Sequence, residues 1–259
     1  MSTSVAEVNC VKSAPAVEIN RHANTTAAFG WIQSGINDFR RAPALSLLYG
    51  FLFAGLCSGM YLLVRNVPWY VTGYLTGLVV LGPFLAAGLY AASRDMESGS
   101  APSISASLRL MIQRRTYLAL FALMLALVMA AWVRFSALLF ALKFDTFSPS
   151  VEAYTQIFSS SEGWITLSFF GGVGFLLAAA VFLISAVAIP MIVDKDADFI
   201  TAMQTSSRVV TSNPAAMAVW AATIVALTAV GIASAFVAFA VIFPVLGYAT
   251  WHSYRALVK

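Results

Sequence analysis

Charge is what this sequence has least of. Only 10% of its 259 residues are Asp, Glu, Lys or Arg, against about 25% in a soluble domain. Such a shortage excludes an ordinary water-facing surface. Cysteine and histidine are as scarce, with two of each. Cys10 stands in a polar segment and Cys57 in an apolar run, which excludes a disulfide framework and a Cys-x-x-Cys metal site. His22 shares the polar segment with Cys10, so His252 is the one histidine set among apolar residues. A haem held by two membrane-level histidines is therefore excluded, and a single axial ligand would need an unusual partner. There is no His-Glu-x-x-His zinc motif, no Gly-x-x-x-x-Gly-Lys phosphate loop and no Gly-x-Ser-x-Gly elbow. Gly171-Gly172-Val173-Gly174 lies inside an apolar run and reads as close helix packing. No catalytic, cofactor-binding or metal-binding residue is assigned.

What is there is apolar: 60% of the residues are hydrophobic. Only helices and closed barrels satisfy their backbone within a bilayer. Barrel strands alternate over short segments, whereas these runs are long and unalternating, so the expectation is helices. From Ala215 to Tyr254 no residue is charged. That is about twice what one helix needs to span a bilayer, so the stretch reads as a hairpin. The whole chain reads as an all-α, polytopic six-helix transmembrane bundle built from three helical hairpins. The spans are expected at about 44–64, 71–92, 117–142, 164–193, 215–235 and 238–255, in a single transmembrane domain of residues 29–259. Residues 1–28 read as a disordered cytoplasmic tail.

A short amphipathic surface helix is expected before spans 1, 3 and 5. Ile32, Ile36 and Phe39 share one helical face, as do Ile104, Leu108, Met111 and Ile112 behind a Ser103 cap. Phe199, Ile200, Met203 and Val210 form the third set. Val151–Phe158 suggests a further surface helix in the polar connection after Lys143. Gly55 and Gly59 have the small-xxx-small spacing that lets helices approach. Trp69 and Tyr70, after Arg65, suit a membrane interface. Arg134 lies toward the far end of its span, where its stem can reach the interface.

The chain reads as one unit used three times: surface helix, polar break, span, outer turn, and a second span containing a proline. The breaks are Arg40-Arg41-Ala42-Pro43, Arg114-Arg115 and Ser212-Asn213-Pro214, and the second-span prolines are Pro83, Pro190 and Pro244. Repeated units of this sort build many transport folds. With six spans, one side holds all fifteen Lys and Arg residues except Arg65, Arg134 and Lys143. Positive residues collect on the cytoplasmic side, so both termini are expected in the cytoplasm. This distribution accounts for the net charge of +4 without any nucleic-acid partner. The expected partners are the lipid bilayer and other membrane protein subunits.

Candidate interface or structural positions are Pro83, Pro190, Asp194, Asn213, Pro214, Pro244, Trp251, His252 and Arg255. The prolines kink or end helices, Asp194 caps a helix end, and Asn213-Pro214 opens the last hairpin. Trp251-His252-Ser253-Tyr254-Arg255 reads as a cytoplasmic-interface anchor.

The segments Ser207–Trp220 and Phe243–Arg255, with Ala188-Ile189-Pro190-Met191-Ile192-Val193-Asp194 before them, resemble the bacterial integral membrane family catalogued as domain of unknown function 2189. The resemblance runs from Gly35 to Val258. Members of the family have His where Tyr248 stands, so a family His pair is reduced here to His252. The resemblance implies a bacterial inner-membrane location and a helical fold, and links some members to cytochrome c oxidase. It names no reaction. The expected role is a non-enzymatic accessory or assembly subunit of a membrane complex, such as a respiratory oxidase. The alternative is a transporter or channel for a small solute or lipid.

Overall fold

The structure, a computed structural model, describes residues 18–64, 71–143 and 160–259. Cys10, the Arg65–Tyr70 connection and the expected Val151–Phe158 helix lie outside the described residues. The rest is helical: α1 (Ala27–Arg41), α2 (Pro43–Val64), α3 (Val71–Glu97), α4 (Ile104–Gln113), α5 (Arg115–Lys143), α6 (Ser161–Ser185), α7 (Ala188–Lys195), α8 (Phe199–Ser212), α9 (Pro214–Ala233) and α10 (Phe239–Leu257). No strand occurs among the described residues beyond one antiparallel bridge between Ile19 and Val258.

Among the described residues, four stretches are long and apolar enough to cross a membrane: Pro43–Leu62, Arg115–Phe135, Gly163–Lys195 and Pro214–Ala233. The regions expected as spans at 71–92 and 238–255 are helical but are not among the four. For α10 the reason is local. Its second half carries Thr250, His252, Ser253, Tyr254 and Arg255, and much of the helix is buried against protein. Helices α1, α2, α3, α7 and α9 all pack on α10.

Glycines set how closely α10 is approached. A Cβ on Gly35 would sit 2.6 Å from the Val245 carbonyl oxygen, and one on Gly50 would collide with the Ala240 backbone. Small residues at helix contacts are how membrane helices associate, since packing replaces the hydrophobic effect there. The spacing of Gly55 and Gly59 pointed to the wrong pair: nothing lies within 4 Å of either Cβ position. The contact depends on where α10 crosses α2, one turn nearer the start of the helix.

Proline punctuates the chain in three ways. Pro43 and Pro214 each stand first in a helix, where the missing N–H would be free anyway. The residues before them adopt almost the same backbone, Ala42 at φ −131°, ψ 61° and Asn213 at φ −132°, ψ 53°. Pro244 lies inside α10, and α3 runs on through Pro83. The expected span 164–193 is instead two helices. The apolar run is continuous, but the helix stops at Ser185 and restarts at Ala188. Ser206 of α8 holds the break, accepting from the Val187 N–H at 3.4 Å and donating to the Leu183 carbonyl at 2.9 Å. Pro190 is therefore the third residue of α7, where a helix start tolerates it, and not a kink.

Helices form at the three places where short amphipathic ones were expected, and they bury different residues from those expected. α1 buries Ala28, Trp31, Gly35 and Asp38, with Trp31 edge-on to the buried Trp220 at 5.7 Å. α4 buries Ser107 and Leu110 and turns Ile104, Leu108 and Ile112 outward. Ser103 caps it as its sequence suggests, accepting from the Ala106 N–H at 3.1 Å. α8 buries Ala202, Thr205, Ser206 and Val209.

The described residues before 27 also pack on the bundle. The Asn20 N–H donates to the Leu257 carbonyl at 3.0 Å, and the Lys259 N–H to the Glu18 carbonyl at 3.0 Å. Residues 18–20, expected within the tail, are thus paired with the end of α10.

Candidate functional site

A buried carboxylate must find partners or it will not stay charged. Asp38 is only 4% exposed, and its partners define the site. Its Oδ2 accepts from the Ser93 hydroxyl and lies 2.8 Å from His252 Nε2. Its Oδ1 is 4.0 Å from the Arg41 guanidinium. These residues come from α1, α3 and α10.

The contacts continue past the imidazole. His252 Nδ1 faces Glu97 Oε1 at 3.9 Å, beyond hydrogen-bond length. Glu97 Oε2 pairs with Arg255 Nε at 3.1 Å. A guanidinium nitrogen of Arg255 lies 3.7 Å from Asp194 Oδ2, which also accepts from the Tyr254 hydroxyl at 2.7 Å. The result is one chain of polar groups from Ser93 through Asp38, His252, Glu97, Arg255 and Asp194 to Tyr254. Three carboxylates face the guanidiniums of Arg41 and Arg255 and the imidazole of His252.

Helical spacing explains the assembly. Ser93 and Glu97 are four apart on α3, and His252 and Arg255 three apart on α10, so each pair shares one face. Asp38 stands one turn before the break at Ala42, whose N–H donates to the Asp38 carbonyl at 3.1 Å. Asp194 is next to last in α7. Beside the chain, Tyr248 is fully buried with its hydroxyl 2.9 Å from Ser46 Oγ.

Ser93, Asp38 and His252 are the residue types of a hydrolase triad, but the arrangement differs. In a triad the imidazole holds the hydroxyl proton and the carboxylate orients the imidazole. Here hydroxyl and imidazole both converge on one carboxylate oxygen. Among the described residues, no group of three or more His, Cys, Asp or Glu side chains is placed to hold a metal ion.

Of the positions named from sequence, Asp194, His252 and Arg255 meet in this network. Trp251 lies fully buried on the same helix, its ring 5.6 Å from that of Tyr254, so it is core rather than an interface anchor. Its Nε1 meets no acceptor among the described residues. Asn213 works elsewhere. Its Nδ2 donates to the Asn20 carbonyl at 2.7 Å and its Oδ1 accepts from the Ala23 N–H at 3.1 Å, fastening residues 20–23 to the α8–α9 break. Pro83, Pro190, Pro214 and Pro244 stand in helices and supply no polar side chain to the network. Sequence reading missed Asp38, Ser93 and Glu97, and took Tyr254 only as part of an interface anchor. A signal was available for two of them, since Asp38 stands in a helix with an apolar face and Ser93 directly follows the apolar run of α3.

A helical core wrapped by membrane-length apolar helices defines the class: this is an integral membrane protein. Residues 71–194, just under half of the chain, match the family model described as predicted integral membrane protein, domain of unknown function 2189. The match takes in the Ala188–Asp194 block and ends before Ser207. No curated protein and no solved structure matches the chain.

Proposed function

We propose that this protein is a non-enzymatic accessory or assembly subunit of a membrane complex, of the respiratory oxidase kind, in the bacterial inner membrane. The observation that carries this reading is the closure of the polar network. Asp38, Glu97 and Asp194 are each answered by a group of the same chain, and the residues so tied are a clamp across α1, α3, α7 and α10. Outside the clamp, α6 turns Ile165, Phe169, Phe175 and Leu176 outward, an apolar face available to a partner helix. Six spans in three hairpins, with both termini cytoplasmic, complete the proposal. Among the described residues the order short helix, long helix, long helix occurs at α1–α3, α4–α6 and α8–α10, with α7 an additional short helix, and the matched backbones at Ala42 and Asn213 favour a repeat. Affinity purification from native membranes, with crosslinking, tests the role: a defined membrane partner is expected, and a protein that always runs alone would sink it. A reporter fused after Lys259 should be reachable only from the cytoplasm.

A second reading is a transporter for a small or lipidic solute. The observation favouring it is a cleft of about 420 Å³ between α5 and α6, lined by Val128, Trp132, Gly174, Leu177, Phe182 and other mainly apolar residues. Solute flux into liposomes holding the purified protein would support it over the first reading.

A further inference from the structure

We infer that α4 lies in the membrane surface and binds anionic phospholipid, with Arg109 and Arg115 meeting the headgroups. The inference begins with a mismatch. Ile104, Leu108 and Ile112 follow one another at four-residue steps along one side of α4. They are 45%, 49% and 59% exposed. The side of α4 that packs on α3 is different: Ser107 and Leu110 are buried there, and the Ser107 hydroxyl donates to the Gly88 carbonyl at 3.1 Å. α4 therefore has three sides. One faces protein, one carries an uncovered apolar stripe, and one, with Arg109 and Gln113, is polar. Neither of the other two surface helices leaves such a row uncovered.

Position in the chain identifies what covers the stripe. α5 begins at Arg115, two residues after α4 ends, and is long and apolar enough to cross the membrane from that residue. The stripe thus sits where a span enters the bilayer, at the level of headgroups and first methylenes. A helix with a protein side, an apolar side and a basic rim is the form that lies in this layer. Three side chains on a ten-residue helix are too little for a stable protein interface, which buries above about 1,000 Å².

Charge identifies which lipid. Arg114 is engaged with Asp196. Arg109 and Arg115 are exposed and have no acidic partner among the described residues. Two unanswered guanidiniums beside an apolar stripe suit a phosphate-bearing headgroup with net negative charge. An arginine close to an anionic membrane surface changes binding by about five-fold.

The test uses the full chain with Cys10→Ser in vesicles of phosphatidylglycerol and phosphatidylcholine, leaving the buried Cys57 in place. A fluorophore is attached at Leu108→Cys, or on the polar side at Gln113→Cys. Spin-labelled lipid should quench the probe at 108 and aqueous iodide the probe at 113. Spin-labelled phosphatidylglycerol should quench at 108 better than the phosphatidylcholine analogue. That advantage should fall about five-fold with Arg109→Gln and again with Arg115→Gln, exposed positions where loss of folding is not expected. Iodide access at 108, equal quenching by the two lipids, or shielding of 108 from both quenchers would each overturn the inference, the last by showing a protein cover.

Discussion

His252 Nε2 lies 2.8 Å from Asp38 Oδ2, although 214 positions separate the two residues in the chain. The contact joins the helix that opens the described bundle to the one that closes it. Removing one partner of a buried hydrogen-bonded carboxylate leaves that carboxylate short of a partner, at a cost of about 2 kcal/mol. His252→Ala should therefore lower stability by about 2 kcal/mol, read as thermal unfolding of the detergent-solubilised protein. Asp38→Asn in the same chain should recover part of the loss, because the stranded charge is gone. Strictly additive losses would show that the two side chains do not act as a pair.

The glycine contacts make an opposite pair of predictions. Gly50→Ala drives a methyl group into the Ala240 backbone and should destabilise by about 2 kcal/mol. Gly55→Ala meets open space and should be neutral or stabilising by roughly 0.5 kcal/mol, since Ala is the better helix former. Equal behaviour of the two variants would contradict the crossing of α2 on α10. Unfolding temperatures measured side by side in one detergent suffice.

Asn213 ties residues 20–23 to the α8–α9 break through two long-range hydrogen bonds. Asn213→Ala should cost about 1 kcal/mol for each bond and expose the segment around His22 to added protease. Asn213→Asp keeps the acceptor for the Ala23 N–H and loses the donor to Asn20, so its cleavage rate should fall between the two. Unchanged cleavage in the Ala variant would show that the segment is held by other contacts.

Asp198 caps α8, accepting from the Ile200 and Thr201 N–H groups, both at 3.0 Å. Hydrogen bonds from the Thr201 side chain and backbone hold its carboxyl below the usual value of 3.8. A folded-state pKa lowered in this way means the unfolded chain takes up the proton first on acidification. The cap's contribution is therefore complete above about pH 4 and fades as pH falls below 3.8 through the folded value. Asp198→Ala should cost about 1 kcal/mol at neutral pH and less in acid. A penalty that stayed constant down to pH 2 would rule out the carboxylate as the cap.

Much of the helical frame is legible in the sequence because it depends on local composition. The apolar runs, the Ser103 cap and the breaks at Pro43 and Pro214 act within a few residues of themselves. Other features depend on partners far along the chain. The break after Ser185 falls in an unbroken apolar run and rests on a hydroxyl from α8. The choice of Gly50 over Gly55 belongs to the path of α10. The site divides in the same way. His252 stands out by its rarity and Asp194 by its place at a helix end. Asp38 and Glu97 look like solvated surface charges until α1 and α3 are laid beside α10.

The dependence of α1 on α10 also bears on the order of folding. When α1 first emerges, the faces that will cover Gly35 and Asp38 do not yet exist, and some two hundred residues must follow before they do. Contacts this distant form late, because the intervening chain must first be ordered. The early helices thus wait as an unfinished half. A chain that stalls before residue 239 should keep Asp38 open to water, a state that membrane quality-control proteases are suited to detect.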